Sequence, residues 1–259
     1  MTKLDQLKKE LSDLTNAKQA KLLQGFFRTG PGQYGEGDIF LGIKVPAQRG
    51  VAKKYPDLNL SDIQKLLNSK IHEHRLIALF ILIAQYKNLK NESRVSATSS
   101  KTGLPRRLEA PRNDKVEHRL KQIFDFYLKN YKNINNWDLV DLSAPNIAGD
   151  YLLNQPRDIL YKLAKSDHLW QKRIAVLATF AFIKYNDFKD TLNIAKILLH
   201  DKHDLIHKAM GWMLREIGKR DQAIEEKFLK KHYQQMPRTM LRYAIEKFDE
   251  PKRQFYLKK

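Results

Sequence analysis

The sequence predicts an all-α fold, a solenoid of stacked antiparallel helix pairs with a basic concave face, on three observations. Apolar residues recur at helical spacing nearly everywhere, as in Leu4/Leu7/Leu11/Leu14, Leu76/Leu79/Phe80/Ile83 and Ile174/Leu177/Ala178/Ala181. Runs of strict alternation, the mark of a half-buried strand, are absent. Three segments also look alike: Leu66–Ser69 leading to His74–Ala78, Leu163–Ser166 leading to Lys172–Ala175, and Leu198–Asp201 leading to Lys208–Trp212. Each has an apolar helix end, a polar turn, a basic residue and then a small residue opening an apolar helix. The small positions Ala175 and Gly211 lie 36 residues apart, a period that belongs to helical-pair solenoids, whose curvature offers a concave binding face.

Composition narrows the functional classes. A chain of 259 residues with 42% apolar content buries a good core, and 1–259 reads as one domain. Without cysteine there are no disulfides, thiolate metal sites or cysteine nucleophiles. Residues 1–16 are polar and amphipathic with no apolar h-region, and no window approaches the roughly 18 apolar residues of a membrane span. A cytoplasmic location, on the nucleoid when DNA is bound, is the expectation. Lys and Arg number 48 against 29 Asp and Glu, a formal charge of +19, which points to a polyanionic partner, most often nucleic acid.

Taken in order, the amphipathic start at Leu4–Leu14 is followed by a Gly-rich loop, 28–38. This loop contains a literal G-x-G-x-x-G at Gly30, Gly32 and Gly35, but with a proline inside it and no preceding strand it is not a dinucleotide fingerprint. A mobile loop near the binding face is expected, with Glu36 and Asp38 solvated. His72 and His74 point opposite ways on a helix and read as surface residues. Segment 93–113, rich in Ser, Thr, Pro and Arg, reads as a flexible insertion between helices.

The most informative stretch is Asn135-Asn136-Trp137-Asp138-Leu139-Val140-Asp141. It reads as a helix start, with Asn135 as the cap and Asp138 in the first turn at the positive end of the dipole. Trp137 and Asp141 are four apart and so share one helix face. A carboxylate beside a large aromatic would repel phosphate, so in so basic a protein it points to stabilisation of a cation. Further on, His200, His203 and His207 imitate a metal site, but the cluster begins at an inter-helix turn with no matching motif, so no metal is expected. Arg238 and Arg242 fit phosphate contact and snorkelling over the core equally well.

The chain resembles the bacterial DNA alkylation repair family of HEAT-like alkylpurine DNA glycosylases. The likeness covers most of the chain and rests on Phe40–Pro46, Ile134–Asp141, Leu169–Ala175, Lys208–Glu216 and Arg238–Phe248. It implies a HEAT-like solenoid that excises purines alkylated at N3 or N7 from duplex DNA, as a monomer, without metal or cofactor and without a base-extruding pocket. The family's key residues fall on Trp137, Asp141, Arg173 and Trp212. Its early aromatic beside the substrate falls on Phe26 or Phe27. The Gly-rich loop and 93–113 depart from the pattern.

The chemistry is consistent with that set. An N3- or N7-alkylated purine carries a fixed positive charge and leaves without a general acid, so what remains is to stabilise an oxocarbenium-like sugar and position water. An ionised Asp141 supplies the charge, and the faces of Trp137 and Trp212 add on the order of 0.5–2 kcal/mol to a cationic centre. Arg173, Lys172 and Arg242 are the expected phosphate contacts. The rival readings are a non-catalytic relative that binds DNA and a helical scaffold for RNA or protein.

Overall fold

Several helices begin where a short polar side chain accepts an otherwise orphaned backbone N–H group, as at Thr2, Asn16, Asn59, Asp221 and Asp249. The computed structural model describes residues 1–99 and 110–258, with side chains over 1–93 and 114–258, in two compact units, Met1–Leu139 and Val140–Lys259. Among the described residues there is no strand, only one isolated parallel bridge between Ile39 and Ile71. Nor is any described helix long and apolar enough to cross a membrane.

In the first unit, Thr2 and Asp5 form a capping box on α1 (Lys3–Asp13), which buries Leu4, Leu7 and Leu11. Leu14, expected to continue that stripe, is the C-cap and is exposed. Asn16 caps α2 (Ala17–Phe26), which buries none of its residues. Next come α3 (Val45–Ala52), which has Pro46 in its first turn, and α4 (Leu60–Leu67), capped by Asn59. The centre of the unit is α5 (His72–Ser99), against which α3, α4 and α6 (Ala110–Lys129) pack. Leu76, Ile77, Ala78, Leu79, Ile81 and Leu82 are all buried, so α5 is apolar all round over this stretch, as an enclosed helix segment is. Within the expected insertion 93–113, α5 continues through Ser99 and α6 starts at Ala110; the rest of that expectation lies outside the described residues.

Helix α7 (Trp137–Ser143) gives way to a π-helical turn, Pro145–Gly149. Pro145 has no N–H to return to the Asp141 carbonyl, so the regular ladder cannot continue there. The second unit then runs α8 (Asp158–Ala164), α9 (Leu169–Ile183), α10 (Lys189–Ile197), α11 (Asp204–Gly218), α12 (Gln222–His232), α13 (Arg238–Ala244) and α14 (Glu250–Leu257).

Helix pairs recur in this unit: α8 packs on α9, α10 on α11 and α12 on α11, while α9, α11 and α13 pack on one another in a row. The starts of α9 and α11 are 35 residues apart and are seated alike. His168 and His203 each accept a backbone N–H through Nδ1, from Trp170 at 3.3 Å and Leu205 at 3.1 Å. Their own N–H groups go to Ser166 and Asp201 side chains. Gly211 permits a close approach of α11 to α13: a Cβ there would stand 2.4 Å from the Met240 carbonyl oxygen.

Candidate active site

The start of α7 is embedded in an aromatic and ionic cluster of the first unit. Asn136, not the expected Asn135, precedes the helix and accepts the Trp137 N–H at 2.8 Å. The Trp137 ring stacks on Phe27 at 5.2 Å, and Phe27 stacks in turn on Phe40 at 5.1 Å. Phe26 meets Trp137 edge-on at 5.9 Å. The two candidates for the early aromatic therefore differ: Phe27 is buried packing, while Phe26 is 64% exposed beside Trp137.

Two expectations fail here. His72 and His74 are not surface residues, being 2% and 8% exposed, and Asp38 is not solvated but 6% exposed. The reason is mutual compensation of charge. His72 Nδ1 lies 3.1 Å from Asp38 Oδ2 and its Nε2 lies 2.8 Å from Asp138 Oδ2. Arg75 Nη2 is 2.6 Å from the same Asp38 oxygen and forms an ion pair with it. Burial alone pushes the His72 imidazole down, but the two carboxylates outweigh it and raise its pKa to about 9. Burial likewise pushes Asp38 up, yet His72 and Arg75 leave it below its ordinary value.

His74, two residues on, shows the opposite outcome. Its burial, reinforced by Lys8 and Arg75, lowers its pKa to about 4. Glu73 completes the knot by accepting N–H groups of Leu41 (3.0 Å), Gly42 (2.8 Å) and Ile43 (3.3 Å). The loop expected to be mobile is pinned at Asp38 by His72 and Arg75 of the first turn of α5, and the segment just after it by Glu73. The loop also binds itself, with Gly35 donating to the Arg28 carbonyl at 3.2 Å and Gly32 to Glu36 at 2.8 Å.

In the second unit Asp141 and Arg173 form a bidentate pair: Nε to Oδ1 and Nη2 to Oδ2, both 2.8 Å. Such fork-to-fork, charge-assisted bonds are among the strongest a side chain makes. The third terminus of the guanidinium, Nη1, donates to the Leu205 carbonyl. Arg173 side-chain exposure is 5% and Asp141 keeps 15%. Sequence reasoning placed Arg173 on DNA phosphate and missed its pairing with Asp141. Trp212 is half-buried, tilted against Phe180 at 5.9 Å, and donates its indole N–H to Glu216 at 3.0 Å.

The other expected contacts are scattered. Lys172 is ion-paired with Asp201, Arg242 is exposed, and Arg238 donates to the Leu257 carbonyl at 2.7 Å. Of the histidine cluster, His203 is the helix cap and His207 Nε2 meets the Asp201 carbonyl. No grouping of three or more His, Cys, Asp or Glu suited to a metal ion occurs among the described residues.

Fold and site together mark a basic protein of repeated helix pairs with a carboxylate clamped by a buried arginine. Residues 7–248 match the DNA alkylation repair enzyme family, and the chain belongs to that family. Among solved structures it is similar to one described as a predicted DNA alkylation repair enzyme from Enterococcus faecalis. The TM-score is 0.59 at 13% identity, over 91% of this chain and 97% of that one, a likeness that carries the fold. A search of curated proteins gives no match.

Proposed function

We propose that this DNA alkylation repair protein is a DNA glycosylase that hydrolyses the N-glycosidic bond of N3- or N7-alkylated purines in duplex DNA, working as a monomer. The observation that carries the reading is the Asp141–Arg173 pair: a buried guanidinium fixes the carboxylate in one orientation while 15% of that side chain stays exposed. A preorganised anion of this kind stabilises charge that develops in the transition state, because it need not reorganise when the reaction occurs.

In the proposed reaction the C1′–N bond breaks and its electron pair neutralises the alkylated purine. Asp141 stabilises the oxocarbenium-like sugar, and water adds to C1′ and gives up a proton. Trp137, one turn before Asp141 on α7, offers an indole face to the cationic nucleotide. Arg173 holds Asp141, and the exposed 5% of its side chain is the part left to face a phosphate. Exposed Arg242, and Lys172 shared with Asp201, supply further phosphate contacts. Binding is then salt-dependent, with log affinity falling roughly 0.9 per phosphate contact against log salt.

Incubation of the purified protein with methylated duplex DNA, with released 7-methylguanine and 3-methyladenine quantified, tests the reading. Asp141→Asn is expected to bind DNA as the parent does and to lose on the order of 100-fold in excision. Undiminished release by that variant, or none by the parent, overturns it; the second result would favour a DNA-binding protein that excises nothing.

A further inference from the structure

His72 carries a charge deep inside the first unit and plays no part in the excision chemistry set out above. It is sandwiched between two rings, Phe40 at 4.6 Å and 21°, and Phe27 at 5.0 Å and 33°. Its two nitrogens reach two separate chain segments: Asp38 at the end of the Gly-rich loop and Asp138 in the first turn of α7. Asp138 in turn accepts the Leu139 N–H through its other oxygen at 2.8 Å. Its neighbour in sequence is Trp137, whose ring stacks on Phe27, one of the rings enclosing His72. The same imidazole therefore touches Trp137 by two routes, through the Asp138 backbone and through the Phe27 ring.

Both nitrogens of a histidine can donate to carboxylates only when both carry protons, and a buried charge is tolerated only when it is paired and hydrogen-bonded. A neutral imidazole would leave one of the two carboxylates without its donor. Either carboxylate alone could be retained by a simpler buried pair. Bridging two segments with one ring is what couples the loop to the helix that bears Trp137.

We propose that His72 is a positioning residue, a doubly bonded imidazolium that ties loop 28–38, through Asp38, to the first turn of α7, through Asp138, and so sets the pose of Trp137 against the cationic nucleotide. This rests on the glycosylase reading given above. The charged groups that face His72 are Asp38 from the loop, Asp138 from α7 and Arg75 from its own helix. With the imidazole pKa raised to about 9, the bridge is intact at neutral pH and opens as the solution is made alkaline.

The test uses full-length protein labelled with 5-fluorotryptophan, whose three fluorine resonances are assigned with Trp137→Phe and Trp212→Phe. In the parent, the Trp137 resonance is expected to titrate with a midpoint near pH 9 while those of Trp170 and Trp212 stay in place. In His72→Gln, the Trp137 resonance is displaced at pH 7 and no longer titrates. Excision by His72→Gln is expected to lose on the order of 10-fold in kcat with DNA affinity changed less than about twofold.

A Trp137 resonance that ignores both the alkaline titration and the substitution overturns the proposal. So does parental kcat in His72→Gln. Should His72→Gln not fold, the titration of the parent decides alone. A parent that releases no base defeats the glycosylase reading instead, and the fluorine spectra still report on the clasp.

Discussion

His168 and His203 seat the starts of α9 and α11 in the second unit by accepting one backbone N–H each, and both are only partly buried. His72 lies at the start of α5 in the first unit and is itself enclosed, bonded on both nitrogens to carboxylates from distant segments. The same residue type thus serves as a neutral local cap in one unit and as a charged cross-brace in the other. The local cap recurs with the helix period because it needs only its own turn. The brace occurs at one helix start because its partners lie 34 and 66 residues away. Repetition supplies regular packing, and irregular long-range charge supplies the geometry around Trp137.

The largest expected effect of breaking this contrast comes from Asp38→Ala, which leaves Arg75 and His72 buried beside a missing counter-charge. A loss of about 3–5 kcal/mol in urea unfolding is expected, as when one partner of a buried pair is removed. A loss below 1 kcal/mol would mean that the network contributes little.

The next effect concerns pH. His72 has a folded pKa raised above its ordinary 6.5, so its contribution is full below 6.5 and is lost as pH rises through about 9. His74 has a folded pKa depressed to about 4, so its contribution is full above 6.5 and is lost as pH falls toward 4. Amide exchange at the start of α5, corrected for intrinsic rates, should therefore be slowest near pH 6.5 and faster on both sides. A monotonic profile would contradict the opposed assignments.

The smallest effect is expected in the second unit, where His203→Ala removes only a local cap and costs about 1 kcal/mol. A cost as large as that of Asp38→Ala would erase the distinction between cap and brace.

What could be read from the chain divides along the same line. The period of α9 and α11 and the shared face of Trp137 and Asp141 were legible because they depend on spacing within a turn or a repeat. The pairing of Asp141 with Arg173, 32 residues apart, was not, since a basic residue on a positively charged chain gives no sign of whether it faces phosphate or a buried carboxylate. His72, Glu73 and Arg75 were missed for a related reason. Helical-face reasoning assigns consecutive polar residues to solvent, and only the three-dimensional arrival of Asp38 and Asp138 reverses that. The available hint was the density of ionisable residues in His72-Glu73-His74-Arg75 immediately before the continuous apolar run Leu76–Ile83. The glycines of the loop pointed to motion, yet the next glycine along the chain, Gly42 at φ +81°, serves close approach: a Cβ there would fall 2.1 Å from the Asn16 carbonyl oxygen.

Helix α2 follows directly after that contact, and it fully buries none of its ten residues while displaying Leu22 and Phe26 to water. Little free energy is lost when such a segment detaches, so it belongs to the least protected class of local openings. Release of α2 would withdraw Phe26 from the edge of Trp137 and leave the enclosed α5 core undisturbed. Of the rings around Trp137, the Phe26 edge is thus the one carried by the most lightly covered helix of its surroundings.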